Sequence, residues 1–131
     1  MSTHENELNN LTHNFNQIIF NKNSSDFNVL NGYDLINTED ILKFILKHDG
    51  LIELLNKVNP LIKKYFSNYN HSMEFIQDPE FESLNQLLIY VSNDDSNFDN
   101  DWKLLGQLKT EIRSLNLSNN EIKRFLEVDL G

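Results

Sequence analysis

Up to about Phe66 the apolar residues of this chain recur at helical spacing; from Met73 they recur at every second position. No other feature constrains the fold as much. A 3.6-residue period cannot keep a strand's face apolar, and a period of two cannot keep a helix's stripe apolar. The chain must therefore combine helices with a sheet.

The helical part begins with a stripe of Leu8, Leu11, Phe15, Ile18 and Ile19, which predicts an amphipathic helix from Thr3 to about Phe20. Residues 21–37 are the least regular. Asn31-Gly32 is a turn signal, flanked by Phe27 and Val29 on one side and Tyr33 and Leu35 on the other. A tiny hairpin and a surface loop with apolar anchors both fit. At Asn37-Thr38-Glu39-Asp40 a capping residue is followed by first-turn acids, as at a helix start. Ile41, Leu42, Phe44 and Ile45 give its stripe, and Gly50 suits its end. A second helix follows with Leu51, Ile52, Leu54, Leu55 and Val58. Asn59-Pro60 restarts or kinks it before Leu61, Ile62, Tyr65 and Phe66.

In the period-two part, Met73, Phe75 and Gln77 alternate with Glu74, Ile76 and Asp78 up to Pro79. Leu87, Ile89 and Val91 then alternate with Leu88 and Tyr90, so the second strand should be the more buried and central one. Closeness in sequence predicts an antiparallel pair. Phe98, Trp102, Leu105, Leu108 and Ile112 return to helical spacing, with Phe98 and Trp102 expected as a core pair. Ser118-Asn119-Asn120-Glu121 is a capping box for a short helix. Leu126, Val128 and Leu130 alternate with Glu127 and Asp129, an edge strand with its acids toward water. The expectation is a single α+β domain over 1–131: N-terminal helix and loop (1–36), helical segment (37–70), then β-β-α-β (71–131). The sheet would be small and mostly antiparallel, with helices on one face. A ferredoxin-like arrangement lacking its first strand is one topology that fits.

The stretches "ILKFILKHDGLIELLNKVNPLIKKYF", "SMEFIQDPEF", "LLIYVS", "NFDNDW" and "FLEVDL", spanning Ile41 to Leu130, resemble a widespread set of small uncharacterised bacterial proteins. These share an L-E-x-x-x-D-P-E strand end and an F-D-x-x-W helix start. Here Ser72-Met73 replaces the aliphatic lead-in to Glu74, and Asn100 replaces an acid. The resemblance implies an intracellular bacterial setting and the β-β-α-β order, and no chemistry.

Composition narrows the function classes. The 131 residues carry a net charge of −9. Phosphate contacts need Lys and Arg, so neither nucleic acid nor an anionic membrane suits this surface, whereas a basic protein partner does. With no cysteine there are no thiolate ligands and no cysteine nucleophile. The polar, acidic opening "MSTHENELNN" is unlike a secretory signal, and the expected location is cytoplasmic. Asparagine fills about one position in six; codon bias explains the number, and caps and turns tolerate it.

Two acidic constellations draw attention. The first is Glu74, Asp78, Glu80 and Glu82; the second is Asp94, Asp95, Asp99 and Asp101 in "NDDSNFDND". Glu74 to Asp101 holds eight carboxylates and no Lys or Arg. Glu74 and Asp78 share a strand face but lie about 13 Å apart at the usual strand rise, too far to share a proton or a metal. The second run lacks the ligand spacing of an EF-hand loop. His4, His13, His48 and His71 have no metal-ligand spacing, and no nucleophile triad or phosphate loop is present. No catalytic residue, metal or cofactor is therefore assigned. The expected function is that of a small acidic non-enzymatic protein, antitoxin-, immunity- or phage-inhibitor-like, whose two acidic poles meet a protein partner. An alternative is an accessory domain that self-associates through Leu8, Leu11, Phe15, Ile18 and Ile19, as monomer or homodimer. A weaker one is a carboxylate- or metal-dependent enzyme.

Overall fold

A computed structural model describes residues 24–92 and 97–131. The helix expected over Thr3 to Phe20, with its stripe, therefore lies outside the described residues, as do Asp94 and Asp95. The chain divides between Asn31 and Gly32 into two units. In the first, Ser24–Leu30 forms a 3-10 helix, and Asn31 donates its backbone N–H to the Asn28 carbonyl at 3.0 Å. The second unit is an α+β fold. Strand β1 (Tyr33–Leu35) leads into helices α1 (Thr38–Lys47) and α2 (Leu51–Phe66). Strands β2 (His71–Ile76) and β3 (Gln86–Val91) follow, then helix α3 (Phe98–Arg113), a 3-10 segment (Asn120–Phe125) and β4 (Leu126–Leu130).

The four strands lie in the order β1-β2-β3-β4. The central pair β2–β3 is antiparallel, as sequence proximity requires, but β1–β2 and β3–β4 are parallel. The sheet is thus mixed rather than mostly antiparallel. The reason is topological: α1 and α2 carry the chain back to the end where β1 began, α3 does the same between β3 and β4, and such crossovers yield parallel neighbours. The Tyr33 to Leu35 segment accordingly pairs with His71 to Met73, not in a hairpin across Asn31-Gly32.

Register sorts the side chains into two faces. Leu35, Met73, Ile89 and Val128 stand in one row, flanked by Tyr33, His71, Val91 and Leu130 and by Phe75, Leu87 and Leu126. This face is the core side: Met73, Leu87, Ile89 and Val91 are inaccessible, and Val128 nearly so. Against it come Ile41, Phe44 and Ile45 of α1 and Leu51, Leu54, Leu55, Val58, Ile62 and Phe66 of α2, the stripes that their spacing predicts. Burying each such side chain stabilises by roughly 1.5–3 kcal/mol. Leu105 and Leu108 of α3 complete the core, with α3 against α2 and β4.

Of the two readings of Asn59-Pro60, the restart is not what is seen: α2 runs through Pro60 as one helix, and Asn59 alongside accepts a hydrogen bond from the Tyr33 hydroxyl at 2.6 Å. Two further local features differ from expectation. Asn37 does not cap α1. Its side chain reaches β2 instead, donating Nδ2 to the Phe75 carbonyl at 2.9 Å and accepting the Phe75 N–H on Oδ1 at 2.8 Å. Phe98 and Trp102 are not core residues: they are 48% and 55% exposed, with rings stacked 6.0 Å apart at 11°. The buried line on α3 runs through Asp101, Leu105 and Leu108, one position round from Trp102. By contrast Gly50, with φ +99°, sits at the α1–α2 junction where a glycine is needed. The 3-10 segment is capped by Asn119, which accepts the Glu121 N–H at 3.1 Å, and not by Ser118, the first residue of the capping-box pattern, whose hydroxyl donates to Glu53 at 2.9 Å.

Candidate functional site

The β2–β3 connection positions three of the singled-out acids. Asp78 accepts the backbone N–H groups of Glu80 at 2.9 Å and Phe81 at 2.8 Å through one oxygen. This closes the Asp-Pro turn that the sequence suggests, and the Phe81 bond first, then that from Glu80, holds the Asp78 carboxyl below its ordinary range. Glu80 is exposed. Glu82 is exposed too and forms an ion pair with Lys47 at the end of α1, which lowers its proton affinity. Asp78 and Glu82 thus each have a structural partner.

The residues at the other end of β3 part company. Asp99, in the first turn of α3, is exposed beside Phe98 and Trp102. Asp101 is fully buried, accepts the Tyr69 hydroxyl at 2.8 Å on Oδ1, and has no hydrogen-bond partner on Oδ2 among the described residues. Its position toward the core takes it out of any contact surface. The helical turn that exposes Trp102 turns Asp101 inward, and a hydroxyl waits there to receive it.

Glu74 lies elsewhere, on the second face of the sheet, where Asp34, Ser72, Tyr90 and Asp129 form one row and Glu74, Leu88 and Glu127 the next. Four carboxylates, Asp34, Glu74, Glu127 and Asp129, therefore share a face whose strands contribute no Lys or Arg. Asp34 and Glu127 are exposed, and Glu74 and Asp129 are half-buried. Tyr90 donates its hydroxyl to Glu74 at 3.3 Å. Partial burial, and then Glu74 and Asp129, push the Tyr90 phenol up. Lys109 of α3 reaches Glu127 at 2.8 Å at the edge of this face. The alternation of β4 announces Glu127 and Asp129 as water-facing acids. Their union with Glu74 and Asp34 depends on strand order, which no local pattern supplies.

A cleft with the opposite character opens between α1, the β2–β3 connection and the end of the 3-10 segment. It has a volume of about 430 Å³. Phe44, Phe75 and Phe125 wall it, with Phe44 5.1 Å from Phe75 and 5.6 Å from Phe125 between ring centroids. The His48 ring lies 4.2 Å from that of Phe125, and the Arg124 guanidinium sits 4.8 Å over the same ring. Desolvation, followed by the charges of Lys47 and Arg124, pushes the His48 pKa down against a weaker opposite pull from Glu82. Lys43 and Arg124 form no ion pair among the described residues. Asn85 is buried; its Oδ1 accepts the Asp78 N–H at 2.7 Å, which leaves Nδ2 as a donor on the cleft wall.

Among the described residues no three His, Asp or Glu side chains are placed to hold a metal, and no helix is long and apolar enough to cross a membrane. Comparison with family models, with curated proteins and with solved structures gives no match.

Proposed function

We propose that the chain is a small acidic binding protein, not an enzyme, that docks on and neutralises a protein partner with a basic surface, in a cytoplasmic setting of the kind its sequence resemblance implies. The observation that supports this most is the gathering of Asp34, Glu74, Glu127 and Asp129 on one sheet face around Tyr90. Glu127 and Asp129 stand two positions apart on β4, and Asp34 lies diagonal to Glu74 across β1–β2; like charges so placed repel one another, and a cationic surface relieves that repulsion. A rigid sheet presents them without the ordering cost of a loop. The exposed Phe98–Trp102 stack beside Asp99 is a second support, since stacked aromatics next to charge are the usual anchors of protein interfaces. Glu80 adds an exposed acid at the β2–β3 connection, Glu82 is held there by Lys47, and Asp78 keeps that connection in shape.

The test is capture of partners from native lysate on the immobilised chain at graded salt, in parallel with a chain carrying Glu74→Lys, Glu127→Lys and Asp129→Lys whose thermal melt confirms folding. A partner whose capture falls with salt and disappears on the charge-reversed chain supports the reading. A partner indifferent to both salt and reversal overturns it.

A further inference from the structure

The cleft beside α1 runs against the charge of the molecule. Lys43, Lys47 and Arg124 line it with three positive charges and Asp40 and Glu82 with two negative ones, a local balance of +1 in a chain of net −9. Glu82 is committed to Lys47, so Lys43, Arg124 and Asp40 are left facing a guest, and the balance of +1 rests on the two cations outweighing one carboxylate. The Arg124 side chain is already laid across the Phe125 ring, so little rotamer freedom remains to be lost on binding. Asn85 adds a donor of fixed direction, because its own carbonyl oxygen is held by the backbone of Asp78.

These features select a guest. The aromatic wall calls for an apolar, planar body, and a volume of about 430 Å³ admits one or two rings. The two cations and the amide call for an acceptor that takes several hydrogen bonds at once, as a carboxylate does. Asp40 in the lining, with only two free cations beside it among the described residues, disfavours a dianion such as a phosphate monoester. We propose that this cleft binds an aromatic monocarboxylate, its ring against Phe44, Phe75 and Phe125 and its carboxylate between Lys43, Arg124 and Asn85 Nδ2. The proposal is independent of the acidic sheet face, which these residues do not join. The same chemistry has two sources, a free aromatic acid or the C-terminal phenylalanine of a peptide.

The experiment is a 1H–15N NMR titration of the full chain with benzoate, phenylacetate and indole-3-acetate, each beside its neutral primary amide. The expected result is a saturable shift of the Asn85 side-chain amide pair and of the Lys43, His48 and Arg124 backbone signals with the acids, with the amides at least about tenfold weaker, the factor one charge-assisted hydrogen bond gives. Lys43→Gln and Arg124→Gln change exposed side chains, so both variants keep the fold, and each should weaken the acids about tenfold. A short peptide ending in phenylalanine, free and C-terminally amidated, separates the sources: tighter binding of the free-ended peptide than of phenylacetate identifies a chain terminus, and weaker binding identifies a free acid, both with the site intact. Equal affinity of acids and amides, shifts confined to residues outside the cleft, or unchanged affinity in a Lys43→Gln/Arg124→Gln double variant overturns the proposal.

Discussion

The two faces of the sheet are built from the same strands and differ in almost every other respect. On one, Met73, Leu87, Ile89 and Val91 are sealed under α1 and α2; on the other, Asp34, Glu74, Glu127 and Asp129 surround Leu88 and Tyr90. One residue's shift along β3 converts one environment into the other, as the pleat dictates. The comparison teaches that the fold is specified by the covered face and leaves the second free to carry charge.

The sharpest way to break this contrast is a pair of truncations on neighbouring residues. Ile89→Ala opens a cavity in the covered face and should lower unfolding free energy by about 2–5 kcal/mol, measured by urea denaturation. Leu88→Ala, on the half-buried face, should cost at most about half as much. Equal losses would mean that both faces are equally packed.

Asp101 sharpens the contrast from the other side, as a carboxylate within the helical layer. Tyr69→Phe leaves it with neither oxygen partnered by a side chain and should destabilise by about 1–3 kcal/mol in the same assay. A neutral outcome would show that the hydroxyl does not carry the cost of burying that group.

His48 gives a pH signature. Its folded-state pKa is depressed, so between its ordinary value and the folded one the unfolded chain binds the extra proton. The contribution of neutral His48 is present above about pH 6.5 and declines as pH falls through the folded value. Asp78, Glu53, Glu82 and Glu111 are also depressed and act in the same sense, but only in the lower carboxylate range. Melting temperatures from about pH 7.5 to 5 should therefore drop, and His48→Gln should flatten that drop. The smallest expected effect on stability belongs to the acidic face: Glu74→Lys and Glu127→Lys should each leave it within about 0.5 kcal/mol. A large loss there would show that these acids serve the fold and not a surface.

Much of the covered side was legible in the chain. The stripes of α1 and α2, the alternation of β3 and the outward acids of β4 all follow from spacing, because burial acts on each element separately. What escaped depends on relations between distant segments. Tyr33 to Leu35 is too short to show a period, and it becomes a strand only because Ser72 lies opposite Asp34, 38 positions later. Helical spacing admits both Trp102 and Asp101 near the apolar stripe, and the partner that receives the inward Asp101, the Tyr69 hydroxyl, lies 32 positions away. Asn85 and Arg124 carried no signal, since their importance lies in a cleft assembled from three separate stretches.

Asn37 has a consequence for the boundary of the sheet. With one donor and one acceptor set against Phe75, its amide imitates a peptide group and ends the β1–β2 ladder on a side chain. Strand β1, at this edge of the sheet, is left only three residues long, against five for β4 at the other edge. An extended segment from another molecule approaching that edge finds too little backbone to add itself as a further strand, a protection against edge-to-edge aggregation. An asparagine that reads as a helix cap serves here as a stop for sheet growth.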